Sequence, residues 1–422
     1  MMSDMSTHPD NRPSFADRAV QRCPFDAYDR LREESPVYFA PEMNAFVVTR
    51  ADLIQQVLDA PSIFSNHAMD VSVINESVGD EVRAIRAQGY APVPYMSTGD
   101  PPDHTYYRRM AVKLFDPRRI RGLQGDIERL GKQLINPLIA RGGGEFMREV
   151  AMPLPVMVVA SLLGVPPEHW RRFRAWGDAH VAVVSRTVTP EQEIECAKAS
   201  LEFQAYMLPV IHDRRKERQA DLISDLVHTP LPDLDRRLDD GELLSAIRQF
   251  MVAGGETTTY SMGSGILMLA QDRALYDRLR ADETLIPKFV EEVLRMRSPS
   301  QGIFRLVLSD TEIGGVPVPK GSYVHIRLAA GNRDAALFEN PHEMLFDRRN
   351  GNRHLSFGGG IHICLGSQLA RAELVTVFQK MIREAEIELD EAGGGYDYIE
   401  SKMFMGLSDL HLKLSPTSAF AA

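Results

Sequence analysis

A chain of 422 residues, 44% of them hydrophobic and 25% charged, can bury a sizeable core, and no Pro/Ser-rich linker divides it. Its 58 acidic against 48 basic residues leave a formal charge of −10 with no long basic run, so nucleic acid is excluded as a natural partner. Three cysteines, Cys23, Cys196 and Cys364, match neither a zinc spacing nor a disulfide framework, which points to a reducing cytoplasm. The polar stretch Met1 to Pro24 has no apolar signal core, and no run of about 18 apolar residues predicts a membrane span. One domain over residues 1–422 is expected, with residues 1–20 flexible.

The first predicted element is a short amphipathic helix from Pro24 to Glu34, with Phe25, Tyr28 and Leu31 on one side. Val37 to Phe39 and Ala45 to Thr49 read as a hairpin around Pro41 to Asn44, followed by a helix from Ala51. Residues 64–99 lack periodicity and predict a long loop, a candidate lid over a pocket. From Asp103 the pattern turns helical and sets His104 and Arg108 four apart on one face. Further helices are predicted over Ile120 to Ala140, Pro153 to Leu163, Pro167 to Arg186 and Pro190 to Arg218, with Gly142-Gly143-Gly144 as an intervening loop.

Asp239 to Asp272 is apolar on all sides and predicts a buried central helix, but its middle is odd. Ala253-Gly254-Gly255-Glu256-Thr257-Thr258-Thr259 puts two glycines, a carboxylate and three hydroxyls where aliphatic residues belong. Burying such groups costs stability unless they are paired, so function is a reason to keep them. The next helix, Thr284 to Arg297, carries Glu292 and Arg295 three apart. Ile303 to Ser309, Thr311 to Val318 and Ser322 to Arg327 alternate like strands of a small sheet, and Tyr396 to Leu414 has strand-like pieces around Met403.

Near the C-terminal end runs Phe357-Gly358-Gly359-Gly360-Ile361-His362-Ile363-Cys364-Leu365-Gly366, leading into a helix-like run from Ser367. A thiol at a helix start, ringed by free backbone N–H groups, is favoured as thiolate, and a thiolate is a metal ligand. Lone cysteines are more often structural. Here, however, Phe357, Gly358, Gly360, His362, Cys364 and Gly366 meet, position by position, the haem-binding pattern of the cytochromes P450, and the chain resembles that family over nearly its whole length.

The resemblance implies a mainly α fold with small β-sheets (α+β), holding haem b, iron protoporphyrin IX, between the long central helix and the cysteine-loop helix. Cys364 becomes the iron's axial ligand, with backbone N–H groups donating to its sulfur. Ala253-Gly254-Gly255-Glu256-Thr257 resembles the family's oxygen-activating element. Its glycines are expected to let the helix open locally, Thr257 to hydrogen-bond the activated dioxygen and Glu256 to relay protons. Glu292 and Arg295 resemble the Glu-x-x-Arg pair of a buried network, completed by Arg349 or, as the substitute, Arg348. The propionates are assigned to His104, Arg108, Arg305 and His362. The substrate pocket is expected among Val252, Ala253, Gln301, Gly302, Ile303, Met403, Phe404 and the 64–99 loop.

The implied function is insertion of one oxygen atom from O2 into a hydrophobic small molecule, a terpenoid, steroid, fatty or aromatic compound. NAD(P)H would serve indirectly, through ferredoxin reductase and a 2Fe-2S ferredoxin docking near Arg108, Arg109, Lys113 and Arg371 of a monomer. Two alternatives stand beside it. A peroxide-driven peroxygenase typically lacks the acid and alcohol of the central helix, and a non-enzymatic haem sensor or carrier would not need them.

Overall fold

The chain was described from a computed structural model covering residues 12–69, 78–184 and 188–420. Its axis is the helix Asp240–Gln271, whose start is fixed by a reciprocal cap: Asp239 accepts from the Glu242 N–H at 2.8 Å, and Glu242 accepts from the Asp239 N–H at 2.9 Å. The helices Pro153–Leu163, Trp170–Val184 and Ser367–Glu384 pack around it, so it is apolar on nearly every side for want of a solvent face. Pro153–Leu163 ends where Gly164 turns left-handed at φ 76°.

Most predicted helices are present with shifted ends. Ile120 to Ala140 divides at Leu123 into Pro117–Gly122 and Gln124–Ala140, the first capped by Asp116. Pro167 opens a single tight turn, Pro167–His169, before the helix proper begins at Trp170. The end expected at Arg186 lies outside the described residues, as do residues 70–77 of the predicted lid. Within the rest of that lid the chain is more ordered than its composition suggested: Phe64–Ser65 is a strand and Gly79–Arg86 a helix. Phe15 and Val20, in the stretch expected to be flexible, are buried.

The larger sheet runs Val37–Ala40, Ala45–Val48, Tyr323–Ile326, Ile303–Val307, Phe64–Ser65 in spatial order. Ala45–Val48 is parallel to Tyr323–Ile326, with Val47 opposite His325, and the other neighbours are antiparallel. The second sheet centres on Leu407–Pro416, flanked by Tyr396–Tyr398 and by Gly143–Glu145, with Ala385–Leu389 also paired to it. The triple glycine is therefore no loop. Gly143 sits at φ 124°, and a Cβ there would lie 2.0 Å from the Leu412 carbonyl oxygen, so only glycine admits the ladder. Among the described residues, no helix is long and apolar enough to cross a membrane.

Candidate functional site

The cysteine loop is shaped by backbone that only glycine adopts easily. Gly358 has φ 67° and ψ −153°; Gly360 has φ 60°, and a Cβ there would meet the Leu58 carbonyl oxygen at 2.4 Å. The Cys364 N–H donates to the Phe357 carbonyl at 2.9 Å and closes the loop. Burial pushes the Cys364 thiol up, while the N–H groups of Gly366 and Ser367 and the cations Arg108 and Arg371 pull it down. The residue keeps accessible surface although protein crowds its thiol.

On the same side, the helix Asp103–Leu114 brings His104 and Arg108, the strand Ile303–Val307 brings Arg305, and the turn Gly360–His362 brings His362. The two imidazole rings lie 4.2 Å apart between centroids. His362 Nδ1 is 3.1 Å from the Met96 carbonyl, which can only accept, so Nδ1 carries the proton. The Nε2 atoms of both histidines are buried without a partner. Burial lowers both to about 4, helped at His104 by Arg108 and at His362 by His104 and Arg305. Arg305 is lowered to about 10 by burial, and Arg108 is lowered by the same cause.

Neither guanidinium has an ion pair among the described residues. Two orphaned imidazole nitrogens beside two desolvated cations form a receptor for carboxylates. A haem carries two propionates, so these residues fit the group that the cysteine loop implies. A carboxylate beside His362 would favour a second proton on Nε2, converting the orphan into a donor.

The central helix runs unbroken through its glycines, contrary to the expected local opening. Gly254 serves packing instead: a Cβ there would come within 2.6 Å of Val159 Cγ2 on the crossing helix. The hydroxyls are turned onto carbonyls one turn back, Thr257 to Ala253 at 3.3 Å, Thr259 to Gly255 at 2.8 Å and Ser261 to Thr257 at 2.9 Å, while Thr259 also reaches Ala151. Glu256 lies 3.8 Å from Arg174, which is itself engaged by Asp178 at 2.7 Å. Burial raises the Glu256 carboxyl to about 7; Arg174 opposes this and Asp178 adds to it. Neither Arg174 nor Asp178 was singled out from the sequence, because their helix supplies no motif.

Two buried networks lie behind the cysteine loop. Arg295 grips Glu292 with both arms of its guanidinium at 2.7 and 2.8 Å and also donates to the carbonyls of Asn332, Pro341 and Glu343. The third member is Arg348, 3.1 Å from Glu292 and bonded to the Asn340 and Glu343 carbonyls; Arg349, expected there, has no contact with Glu292. A second network was missed altogether. Glu291 takes both arms of Arg371, at 2.6 and 2.9 Å, and His354 at 3.3 Å, which holds its carboxyl down at about 2. Arg371 then covers the Phe357 ring at 4.5 Å, and so it braces the loop instead of facing solvent as a docking cation.

The cavity measures about 1250 Å³. Val252, Ala253, Met403 and Phe404 line it as expected, together with residues 92–95, 97 and 98 of the predicted lid. Gln301, Gly302 and Ile303 are absent from its wall, and Phe304 stands there instead. Gln301 is a buried strut: it accepts from the Tyr28 hydroxyl at 2.6 Å, donates to the Ser298 carbonyl, and its N–H holds the Met403 carbonyl at 2.8 Å. The wall is also more charged than expected, with Arg86, Arg174, Asp178, Arg248, Glu256 and Lys402 on it.

The family model for cytochrome P450 matches residues 147–410. The polyketide biosynthesis cytochrome P450 PksS of Bacillus subtilis is 32% identical over 403 residues, covering 93% of this chain and 96% of the relative. A steroid C26-monooxygenase of Mycobacterium tuberculosis is 32% identical over 361 residues, covering 85% of each chain. The solved structure of cytochrome P450 CYP109Q5 from Chondromyces apiculatus superposes with a TM-score of 0.83 at 30% identity, over 96% of this chain and 99% of that one.

Proposed function

Since the chain belongs to the cytochrome P450 family of haem-iron monooxygenases, we propose that it uses haem b, NAD(P)H-derived electrons and O2 to hydroxylate a hydrophobic small molecule. When bound to a thiolate-ligated iron, the haem supplies activation of dioxygen for insertion into a C–H bond. The observation that carries this reading is the presence of two half-sites, the second of which reaches the cavity wall through Glu256. Cys364 and the four propionate-binding candidates form one, and Glu256 beside Thr257 forms the other.

Each side chain has a role that its surroundings support. Cys364 would hold the iron, its sulfur accepting from the N–H groups of Gly366 and Ser367, which would temper the charge it donates. His104, Arg108, Arg305 and His362 would hold the propionates of the haem. Glu256, near 7, can both take and give a proton at working pH, which is the property a relay needs. Thr257, accessible beside it, holds its hydroxyl proton on the Ala253 carbonyl and can turn it into the cavity. Phe304, Val252, Met403 and Phe404 exclude water and favour an apolar substrate. A steroid or fatty compound is the substrate class favoured, in line with the steroid C26-monooxygenase among its relatives.

Electrons are assigned to a 2Fe-2S ferredoxin and its reductase, docking on the cysteine side around exposed Lys113 and Val112. The primary test is the reduced, carbon-monoxide-bound spectrum. A thiolate-type band that disappears in Cys364→His supports the reading, and a spectrum unchanged by that substitution overturns it. Thr257→Ala should divert reducing power to peroxide; undiminished coupled turnover removes Thr257 from the mechanism.

A further inference from the structure

Most charges on the cavity wall are already matched. Arg174 holds Asp178 and approaches Glu256, Glu400 pairs with Arg18, and Lys402 donates to the Glu42 carbonyl. Two cations are left over. Arg248, on the central helix, and Arg86, at the end of the helix Gly79–Arg86, line the cavity with no hydrogen bond or ion pair among the described residues. They also wall a side pocket of about 60 Å³, which opens between His180, Trp176 and Cys196.

An arginine crowded by protein and left without an anion is costly, and a second guanidinium beside it makes this worse. Burial and Arg86 together lower Arg248 to about 10, and burial with Arg248 takes His180 to about 3, so His180 contributes no competing charge at neutral pH. The surroundings are otherwise arranged with care. Ser245 accepts from the Val93 N–H at 3.0 Å and Gln249 accepts from the Ser97 N–H at 3.3 Å, so the residues flanking Arg248 tie residues 92–98 onto the helix while Arg248 itself is kept free. Arg248, Val252 and Glu256 follow one side of the helix at steps of four. Eight residues at 1.5 Å each place the free guanidinium about 12 Å along the axis from the acid and alcohol.

We propose that the substrate is an amphiphile whose anionic head, a carboxylate or phosphate, docks on Arg248 with Arg86 beside it, its hydrocarbon body running past Val252 to the reactive centre. This rests on the monooxygenase reading and deepens it by naming the substrate class. The anchor fixes which carbon is oxidised: one roughly 12 Å from the head, remote from the charged end. The charge-matched recognition also accounts for two cations without a counter-charge on a wall whose other charges are matched.

The test uses the haem-loaded full chain, with dodecanoate, dodecyl phosphate and butylbenzoate each titrated against its neutral methyl ester or alcohol. Displacement of the iron-bound water is followed in the haem absorption band. At least one anion should bind about tenfold or more tightly than its neutral counterpart, and the tighter of dodecanoate and dodecyl phosphate identifies the head group. Arg248→Leu should abolish that preference while leaving the neutral compound's affinity intact, and Arg248→Lys should retain part of it. Arg248→Leu should also raise the melting temperature of the ligand-free protein, since an unmatched charge is removed, whereas a residue with a structural role would lower it.

If no anion of the panel outbinds its neutral counterpart, or if the preference survives in both Arg248→Leu and Arg86→Leu, the anchor is overturned. Should Arg248→Leu not fold, Arg86→Leu and Arg248→Lys decide the matter by the same preference. The carbon-monoxide spectrum is recorded on each sample, so a missing thiolate band counts against the family-level chemistry and an intact band with no anion preference counts against the anchor alone.

Discussion

Glu291 and Glu292 are neighbours on one helix, and each is saturated by arginine; Glu256 and Arg248 share another helix, and each is left short of partners. Behind the cysteine loop, every arm of Arg295 and Arg371 finds an acceptor, and Glu291 falls to about 2. Facing the cavity, Glu256 rises to about 7 and Arg248 falls to about 10, and beside the cysteine loop the Nε2 atoms of His104 and His362 have no partner among the described residues. Burial is common to both regions. What differs is whether protein supplies the counter-charge, and that difference separates groups that hold a shape from groups that await a ligand.

The largest way to break the contrast is to make the saturated side resemble the other. Glu292→Gln removes one partner of a buried ion pair and should destabilise the protein by about 3–5 kcal/mol in a denaturant melt, with loss of haem incorporation. A cost under about 1 kcal/mol would mean that the network is dispensable.

Next comes Glu256, whose pH dependence has a definite sign. Its folded-state pKa, about 7, lies above the ordinary value of 4.5, so the folded state holds the proton more tightly. Stability attributable to it is therefore complete below about 4.5 and is lost as pH rises through about 7. Glu256→Gln should leave stability unchanged at low pH and raise it by up to roughly 3 kcal/mol above pH 8, while slowing coupled turnover. Parallel stability curves for the two proteins would show that the carboxyl is not desolvated.

A smaller effect sharpens the network itself. Arg348→Ala should cost about 1–3 kcal/mol, since it strips a hydrogen-bonded arginine from Glu292, whereas Arg349→Ala should stay within about 0.5 kcal/mol. Equal losses would restore Arg349 as a member. Smallest in stability is charge reversal at Lys113. It should leave melting unchanged yet slow reduction by a 2Fe-2S ferredoxin about tenfold at low salt, a deficit that shrinks as salt is added.

Groups bound to a fixed local pattern were the most legible in the sequence. The cysteine loop is written in glycines, which the backbone at Gly358 and Gly360 requires, and the central helix in its capping residues and apolar length. Glu-x-x-Arg is a single turn of helix, so its pairing follows from spacing alone. Glu291 with Arg371 escaped because its members are 80 residues apart, and only the folded chain makes them neighbours. The strand at Gly143–Glu145 escaped because its reason lies in the Leu412 carbonyl, not in its own composition. Arg248 belongs to no motif, and its meaning is a property of what does not surround it.

Gln301 holds the backbone of Met403, and Met405 donates to the Pro299 carbonyl at 2.9 Å, so this wall is bolted by main chain to the end of the Glu-x-x-Arg helix. Another part of the wall, within residues 92–98, hangs on side chains, those of Asn66, Ser245 and Gln249, and Gln204 holds the neighbouring Tyr90. The chamber thus resembles a vice with one fixed jaw and one adjustable jaw. Exchanging Phe404 resizes the grip at a known place, whereas trimming Gln249 changes how far the jaws part, so an engineer seeking a bulkier guest would begin with the second.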